Sequence, residues 1–494
     1  MASRIPEVTA QVYTCPIGIG GSWQPSRGRV ETLRNPATGE PITQVPYCTA
    51  EEVRAAIEAA DAAFPAWRGL PVQERVRTLF RFRQLLEDHL KELAGLVTTE
   101  QGKTLEEAQG SVRRGIEAVE FACGIPTLLM GESLENVGTR VDCVSIRQPL
   151  GVCAGIPPSN FPAMVPLWMF PLAIACGNTF VLKPSDKVPR TCVRLVELLY
   201  EAGLPAGVVN VVHGAKEVAD ILLADPRVRA VSFVGSAAVA KYIYQTAATN
   251  GKRVQALGGA KNHLVVMPDA DLKATAKAIL GGAFGCAGER CLATSVVVAV
   301  GDAAEPLLRA LVQAADALKV GAGSDPQTEM GPVLSAAHRE RILQYIELGQ
   351  QEGATLVRDG RAVKPHDGST GYYVGPTIFD RVRPEMRIAR EEIFGPVLAV
   401  IRSKDMDEAI ATVNRSSYGN AAAIFTQAGW AGREFASRVE AGMVGINVSV
   451  PAPSAFFPFA GWKGSFYGDL HAHGKDAIEF YTEKKVVTSR WSTY

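Results

Sequence analysis

Residues 178–249 read NTFVLKPSDKVPRTCVRLVELLYEAGLPAGVVNVVHGAKEVADILLADPRVRAVSFVGSAAVAKYIYQTAAT, and their rhythm decides the fold. Asn178–Lys183 is a short apolar strand, and Pro189–Ala202 a helix opened by proline and closed at Gly203. Val208–Val212 is a strand, Glu217–Ala224 a helix, Val228–Val234 a strand and Ala237–Thr249 a helix. Parallel strands need a crossover connection, so this alternation predicts a parallel sheet of Rossmann type.

Toward the N-terminus, VDCVSIRQPLGVCAGI (141–156) alternates and is rich in β-branched residues, which predicts paired strands around Pro149–Gly151. Residues 50–64 and 72–100 are predicted helices: Val53, Ile57, Ala60 and Phe64 share one face, as do Leu79, Phe82, Leu86 and Leu93. Residues 103–130 continue in the same style. Beyond Gly259 a second α/β unit is expected, with strands at Leu264–Met267, Thr294–Val300 and Ala399–Ile401. VVTSRW (486–491) returns to strand signals, a tail packing elsewhere or on a neighbouring subunit.

At 494 residues the chain exceeds one ordinary domain, and 47% hydrophobic against 21% charged residues supplies a sizeable core. Lys plus Arg equals Asp plus Glu, 51 each, which argues against a strongly basic nucleic-acid or membrane-surface binder. Nine cysteines, irregularly spaced and without a CxxC, argue against a disulfide scaffold or a structural zinc site. A reducing, cytoplasmic setting and no metal are expected. The N-terminus carries Arg4 and Glu7 but no apolar core of signal-peptide length. The longest uncharged stretch, Phe161–Gly177, is interrupted by Pro162, Pro166 and Pro171 and is expected as a buried element rather than a membrane span.

No strand is followed by a full G-x-G-x-x-G. Gly102–Lys103–Thr104 has the last three letters of a P-loop, but Val97 occupies the first glycine position, so a helix-terminal turn is expected. In VSFVGSAAVAKYI (231–243) a strand meets Gly235–Ser236 and a helix; its unpaired N–H groups suit a pyrophosphate, although a plain strand–helix turn fits equally. FGCAGERCLATS (284–295) places Cys291 beside Arg290, a cation that favours the nucleophilic thiolate. Cys286 leaves a Cys–x4–Cys redox pair as an alternative. Asn160, in PPSNFPAMVP (157–166), is either a local backbone capper or an amide donor to an oxyanion.

Together NPATGE (35–40), SNFP (159–162), GNTFVLKPSD (177–186), FVGS (233–236), GERC (288–291), EEIFGPV (391–397) and YTEKKVV (481–487) resemble the aldehyde dehydrogenase superfamily, over nearly the whole chain. PLGVCAGI (149–156), PLWMFPLAIACGNTFVLKPSDKVP (166–189), GAKNHLVVMPDAD (259–271) and FPFAGWKGSFYGDLHAHGKDAIEFYTEKKVV (457–487) are similar to its CoA-acylating methylmalonate-semialdehyde dehydrogenase branch. The resemblance implies an α/β fold with a Rossmann-type NAD-binding domain (1–130 and 147–256), a catalytic domain (257–447) and a β oligomerisation element (131–146 and 470–494). It also implies a homo-oligomer, dimer or tetramer. The implied reaction is NAD-dependent oxidation of malonate or methylmalonate semialdehyde, with coenzyme A accepting the acyl group and CO2 lost, giving acetyl-CoA or propionyl-CoA.

The same resemblance makes Cys291 the nucleophile and Asn160 the oxyanion donor. Lys183 and Asp186 then face the adenosine ribose, Gly235 and Ser236 the pyrophosphate, and Glu392 the nicotinamide ribose with Phe394 beside it. Asp186 implies NAD over NADP. Arg114 and Arg290 match substrate-carboxylate positions, with Arg113 adjoining Arg114. Hydrolytic members carry a glutamate general base where this chain has Leu257 or, in the other alignment, Ala256. Glu289 replaces a common glutamine and is a candidate partner of Arg290 or a substitute base; Glu483 matches a proton-relay position. A hydrolytic dehydrogenase, an idle NAD-binding protein and a Cys286–Cys291 redox switch are the alternative functions.

Overall fold

The computed structural model describes residues 12–492; Arg4 and Glu7 lie outside them, as do the last two residues of the 470–494 element. One eight-stranded sheet runs, edge to edge, through Phe466–Tyr467, Arg253–Leu257, Val228–Val234, Val152–Ile156, Thr179–Leu182, Val209–Val211, Ile17–Ile19 and Ser22–Gln24. Its five central strands pair in parallel and its edges antiparallel. Val152–Ile156 is buried along its whole length, as a parallel strand covered on both faces must be. The three helices expected between 189 and 249 form at Pro189–Glu201, Lys216–Ala224 and Ala237–Thr249.

A second, seven-stranded sheet runs through Thr355–Arg358, Thr377–Asp380, Val397–Ser403, Thr294–Val300, Asn262–Val266, Ala421–Phe425 and Met443–Ile446, parallel except at its first edge. The third sheet is antiparallel: Thr482–Arg490, Val141–Pro149 and Ser133–Gly138.

This arrangement corrects the pairing expected around Pro149–Gly151. Val141–Pro149 and Val152–Ile156 are consecutive strands, but they belong to different sheets and do not pair. Asn178 explains the switch. Its Oδ1 accepts from Leu150 N (2.7 Å) and Gly151 N (3.1 Å), while its Nδ2 donates to Ala173 O and Tyr481 O (3.0 and 2.9 Å). The strand also runs through to 149, past the boundary expected at 146.

The helical N-terminal region is sharply capped. Thr49 and Glu52 form a capping box at the start of Ala50–Gly69, and Thr104 and Glu107 do the same for Leu105–Cys123. The helix expected over 72–100 is two helices, Val72–Asp88 and Leu90–Gln101, divided at His89. Phe161–Gly177 contains the helix Met164–Ala175, buried on all sides. Among the described residues no helix is long and apolar enough to cross a membrane.

Candidate active site

Cys291 follows a tight turn in which Cys286, Ala287 and Gly288 all take positive φ (50°, 52° and 73°). The turn is held from outside. Glu107 Oε1 accepts from Cys286 N (2.6 Å), and the Cys291 carbonyl accepts from the Nδ2 atoms of Asn262 and Asn420, each at 2.9 Å. Asn160 joins the same frame by donating from Nδ2 to Glu289 O at 2.9 Å. That amide has a second hydrogen free for another acceptor.

Asn160 is itself fixed by a residue read only as part of a turn. Gly102 (φ 98°) ends one helix and Thr104 caps the next, as expected for a helix-terminal turn. Lys103 between them is buried, and its Nζ donates to Asn160 O at 2.8 Å while lying 3.8 Å from the centre of the Phe161 ring. Burial pulls this ammonium below the usual lysine pKa.

Two cavities meet at the sulfur. One, of about 310 Å³, is lined by Asn160, Gly235, Ser236, Leu257, Glu392 and Phe394 as well as Cys291. The other, of about 480 Å³, is lined by Arg113, Arg114, Cys286, Arg290 and His473 as well as Cys291. Phe161, Trp168 and Phe459 are shared walls.

On the first side, Gly235 and Ser236 stand at the C-terminal end of Val228–Val234, where parallel sheets bind ligands. Ser236 opens the helix Ala237–Thr249 without a side-chain capping bond and is exposed, so its hydroxyl and the helix N-terminus are both open to an anion. Glu392 Oε1 accepts from Ala260 N at 2.9 Å, and burial raises this carboxyl's pKa. Phe394 is held with φ 61° by His338 Nε2, which donates to its carbonyl at 2.7 Å. Lys183 and Asp186 lie at the end of Thr179–Leu182 and line neither cavity. Lys183 Nζ donates to Pro184 O and Gly214 O (3.0 and 2.7 Å), and Asp186 accepts from the Tyr47 hydroxyl at 2.9 Å.

On the second side both arginines have part of their donors engaged. Arg114 bonds Glu117 (2.6 Å) and Pro453 O; Arg290 bonds Cys286 Sγ (3.2 Å), Gly281 O (3.1 Å) and Glu107 (3.3 Å). Arg113 shares the cavity but is more exposed than Arg114. Cys291 is pushed up to about 12, first by burial and then by the Glu392 carboxylate, with Arg290 acting the other way. In this form the thiol is neutral.

The proposed base positions resolve clearly. Leu257 lines the first cavity, whereas Ala256 points into the core, because neighbours on a strand face opposite ways. Glu289 does not pair with Arg290. It is 2% exposed and lines neither cavity, accepting instead from Gln101 Nε2 (2.8 Å) and Leu334 N (3.2 Å), with His338 Nε2 at 3.3 Å. Glu483 stands on the exposed last strand, its side chain 70% accessible and 3.9 Å from Arg253. Neither carboxylate reaches the sulfur as a substitute base. Lys103, Glu107, Asn262, Asn420 and His338 were missed from sequence. Only Lys103 and Glu107 carry a local signal, a charge at a helix boundary.

A profile of the aldehyde dehydrogenase family matches residues 23–487. Malonate-semialdehyde dehydrogenase 3 of Geobacillus kaustophilus is 57% identical over 96% of this chain and 98% of its own length. A methylmalonate-semialdehyde dehydrogenase of Oceanimonas doudoroffii superposes with a TM-score of 0.96 at 51% identity, covering 98% and 99% of the two chains. A Sinorhizobium meliloti protein solved with NAD, provisionally named a methylmalonate-semialdehyde dehydrogenase, superposes at 0.97 with 47% identity and coverage of 98% and 99%.

Proposed function

Because the chain belongs to the aldehyde dehydrogenase family, we propose that it oxidises a short semialdehyde acid, malonate or methylmalonate semialdehyde, with NAD, and passes the acyl group to coenzyme A. The observation that carries this reading is the position of Cys291 in a wall common to two cavities, one reaching the strand–helix turn at Gly235–Ser236 and one lined by arginines. The names of the similar proteins support the substrate class, and the NAD of the Sinorhizobium meliloti structure supports the cofactor.

NAD, when bound, would supply the hydride acceptor. Ser236 and the N-terminus of Ala237–Thr249 would hold its pyrophosphate, Glu392 a ribose hydroxyl, and Lys183 with Asp186 the outer ribose. Asp186 disfavours a 2′-phosphate by like charge. The Cys291 thiol gives up its proton to solvent, its thiolate attacks the aldehyde carbon, and the free N–H of Asn160 donates to the oxygen that becomes negative; one such donor is worth about 3–4 kcal/mol. Hydride leaves the carbon, and a thioester on Cys291 remains. Arg114 and Arg290 hold the carboxylate until the C–C bond breaks and CO2 departs; that bond's electron pair delocalises into the thioester carbonyl, and the α-carbon then takes a proton from water.

Release then depends on the acceptor. Water needs a base, and Leu257 is not one. A thiol is the better nucleophile and needs less help, which favours coenzyme A. The exposed apolar residues of the third sheet, among them Leu134, Val144, Val486 and Val487, favour its burial against a second copy in a dimer or tetramer.

NADH formation is measured with malonate semialdehyde, methylmalonate semialdehyde and propanal, each with and without coenzyme A. The expected result is strong acceleration by coenzyme A and, without it, a burst of about one NADH per site before a slow phase. Fast turnover without coenzyme A overturns the acyl-acceptor assignment and leaves a hydrolytic dehydrogenase.

A further inference from the structure

The turn that presents Cys291 and the segment that carries Glu392 and Phe394 meet backbone to backbone. A Cβ placed on Gly288 would lie 2.2 Å from Gly395 O. The helix Ala336–Gln351 holds the second segment. His338 and Arg341 are three apart on it, share a face, and take three consecutive carbonyls. Arg341 Nη2 donates to Glu392 O at 2.7 Å and Nη1 to Ile393 O at 3.4 Å; His338 Nε2 donates to Phe394 O at 2.7 Å. Phe394 needs the hold, because φ 61° is unfavourable for a side chain of its size. The same Nε2 stands 3.3 Å from Glu289 Oε1 on the other turn, a contact rather than a second hydrogen bond. Glu289 is also the residue whose carbonyl accepts from Asn160 Nδ2, at 2.9 Å. Burial pushes the imidazole down to about 4, so at neutral pH it is neutral and its one N–H lies on Nε2.

We propose that His338 is a positioning residue for hydride transfer: its bond to Phe394 O and its contact with Glu289 hold the nicotinamide wall in register with the turn that presents Cys291 and Asn160. The inference rests on the dehydrogenase reading above, which puts Glu392 and Phe394 on the nicotinamide side, and deepens it. His338 lines neither cavity, so it acts through Phe394 and Glu289 rather than on the reacting atoms. Hydride leaves a carbon held by Cys291 for a ring backed by Phe394, so its rate depends on how the two segments are set against each other. A misplacement of about 1 Å costs up to about a hundredfold. Affinity for NAD depends on that register far less, since the same reading assigns the pyrophosphate and outer ribose to Ser236, Lys183 and Asp186.

His338→Met keeps an unbranched side chain and removes the donor, with His338→Leu in its place should it not fold; His338→Gln keeps an N–H at about the reach of Nε2. The first measurement is hydrogen exchange read by mass spectrometry on the NAD-free protein. Exchange in His338→Met is expected to quicken by at least about tenfold over both 286–291 and 392–397, with the helix 336–351 unchanged and His338→Gln close to wild type. The second is single-turnover NADH formation from propanal, with and without deuterium on the aldehyde carbon, beside calorimetric titration with NAD. The rate in His338→Met is expected to fall by about ten- to a hundredfold with a larger isotope effect than wild type, the affinity for NAD to stay within about threefold, and His338→Gln to recover most of the rate. Three results refute this inference alone: a His338→Met rate within about twofold of wild type, a loss that saturating NAD restores, and exchange that is unchanged in either segment or quickened across the helix as well. A wild-type protein that forms no NADH from propanal or from either semialdehyde refutes the dehydrogenase reading, and this inference with it.

Discussion

In a Lys103→Met variant the buried ammonium disappears while the unbranched stem that fills its channel remains. Two favourable contacts go with it: a charged donor's bond to Asn160 O, worth about 1.5–3 kcal/mol, and the cation over Phe161, about 2 kcal/mol when desolvated. Against these stands the relief of keeping a charge out of water, several kcal/mol per ion. The terms oppose each other and are of similar size, so the melting temperature is expected to move by no more than a few degrees. Catalysis has no such compensation. Without Lys103 the Ser159–Asn160–Phe161 turn loses its inner tether, and the Asn160 amide is held only by its bond to Glu289 O. Complete loss of an oxyanion donor costs about 10²–10³ in rate, so partial misalignment is expected to cost about ten- to hundredfold. The assay is single-turnover NADH formation with enzyme in excess, beside a thermal melt on the same preparation. A single-turnover rate within twofold of wild type, or a rate that falls only in step with the folded fraction, refutes the positioning role.

Alkylation of Cys291 by iodoacetamide in the cofactor-free enzyme, followed by peptide mass spectrometry, is expected to be slow at neutral pH and to rise about tenfold per pH unit up to pH 10, because the thiol is pushed up to about 12; a rate already flat above pH 8 contradicts that. Leu257→Glu is expected to quicken the slow phase without coenzyme A by at least about tenfold, whereas Ala256→Glu, aimed into the core, gives a destabilised protein and no hydrolysis. Glu289 is pushed by burial from the ordinary 4.5 to about 8, so its protonated form is the one the fold prefers. The stability it contributes is present below about pH 4.5 and is lost as pH rises through 8. Glu289→Gln is therefore expected to melt close to wild type at pH 4 and above it at pH 9; the reverse order across that range rules out a buried, protonated carboxyl.

The strands and helices of 178–249 were legible because each local signal agreed with the global fold: Pro189 opens a helix, Gly203 follows one, and the apolar runs between are short enough to be strands. The cysteine segment was legible because Gly288, Arg290 and Cys291 are chemistry and backbone freedom side by side. The division at Pro149–Gly151 was not, since Asn178 decides it from another part of the chain. Glu289 shows the same limit in the site. Its neighbour in sequence is Arg290, but consecutive side chains leave the turn in different directions, and its partners come from residues 101, 334 and 338. Lys103 was legible as a turn and opaque as a tether for the same reason: the acceptor is 57 positions away.

The ladder between Thr482–Arg490 and Val141–Pro149, each strand nine residues long, joins parts of the chain that synthesis separates by most of the polypeptide. Arg253 adds to the joint by donating from Nη1 to the carbonyls of Glu479, Phe480 and Thr482 (2.8, 2.9 and 2.6 Å). Loop-closure entropy for so long a separation must be met before any of these contacts forms, so the joint belongs among the last steps of folding. On the ribosome, Val141–Pro149 waits through some 330 further residues with one edge unpaired. An uncovered strand edge is a template for the wrong partner. The nascent chain thus carries an unpaired strand edge through about two thirds of its synthesis, and the arrival of the closing strand ends it.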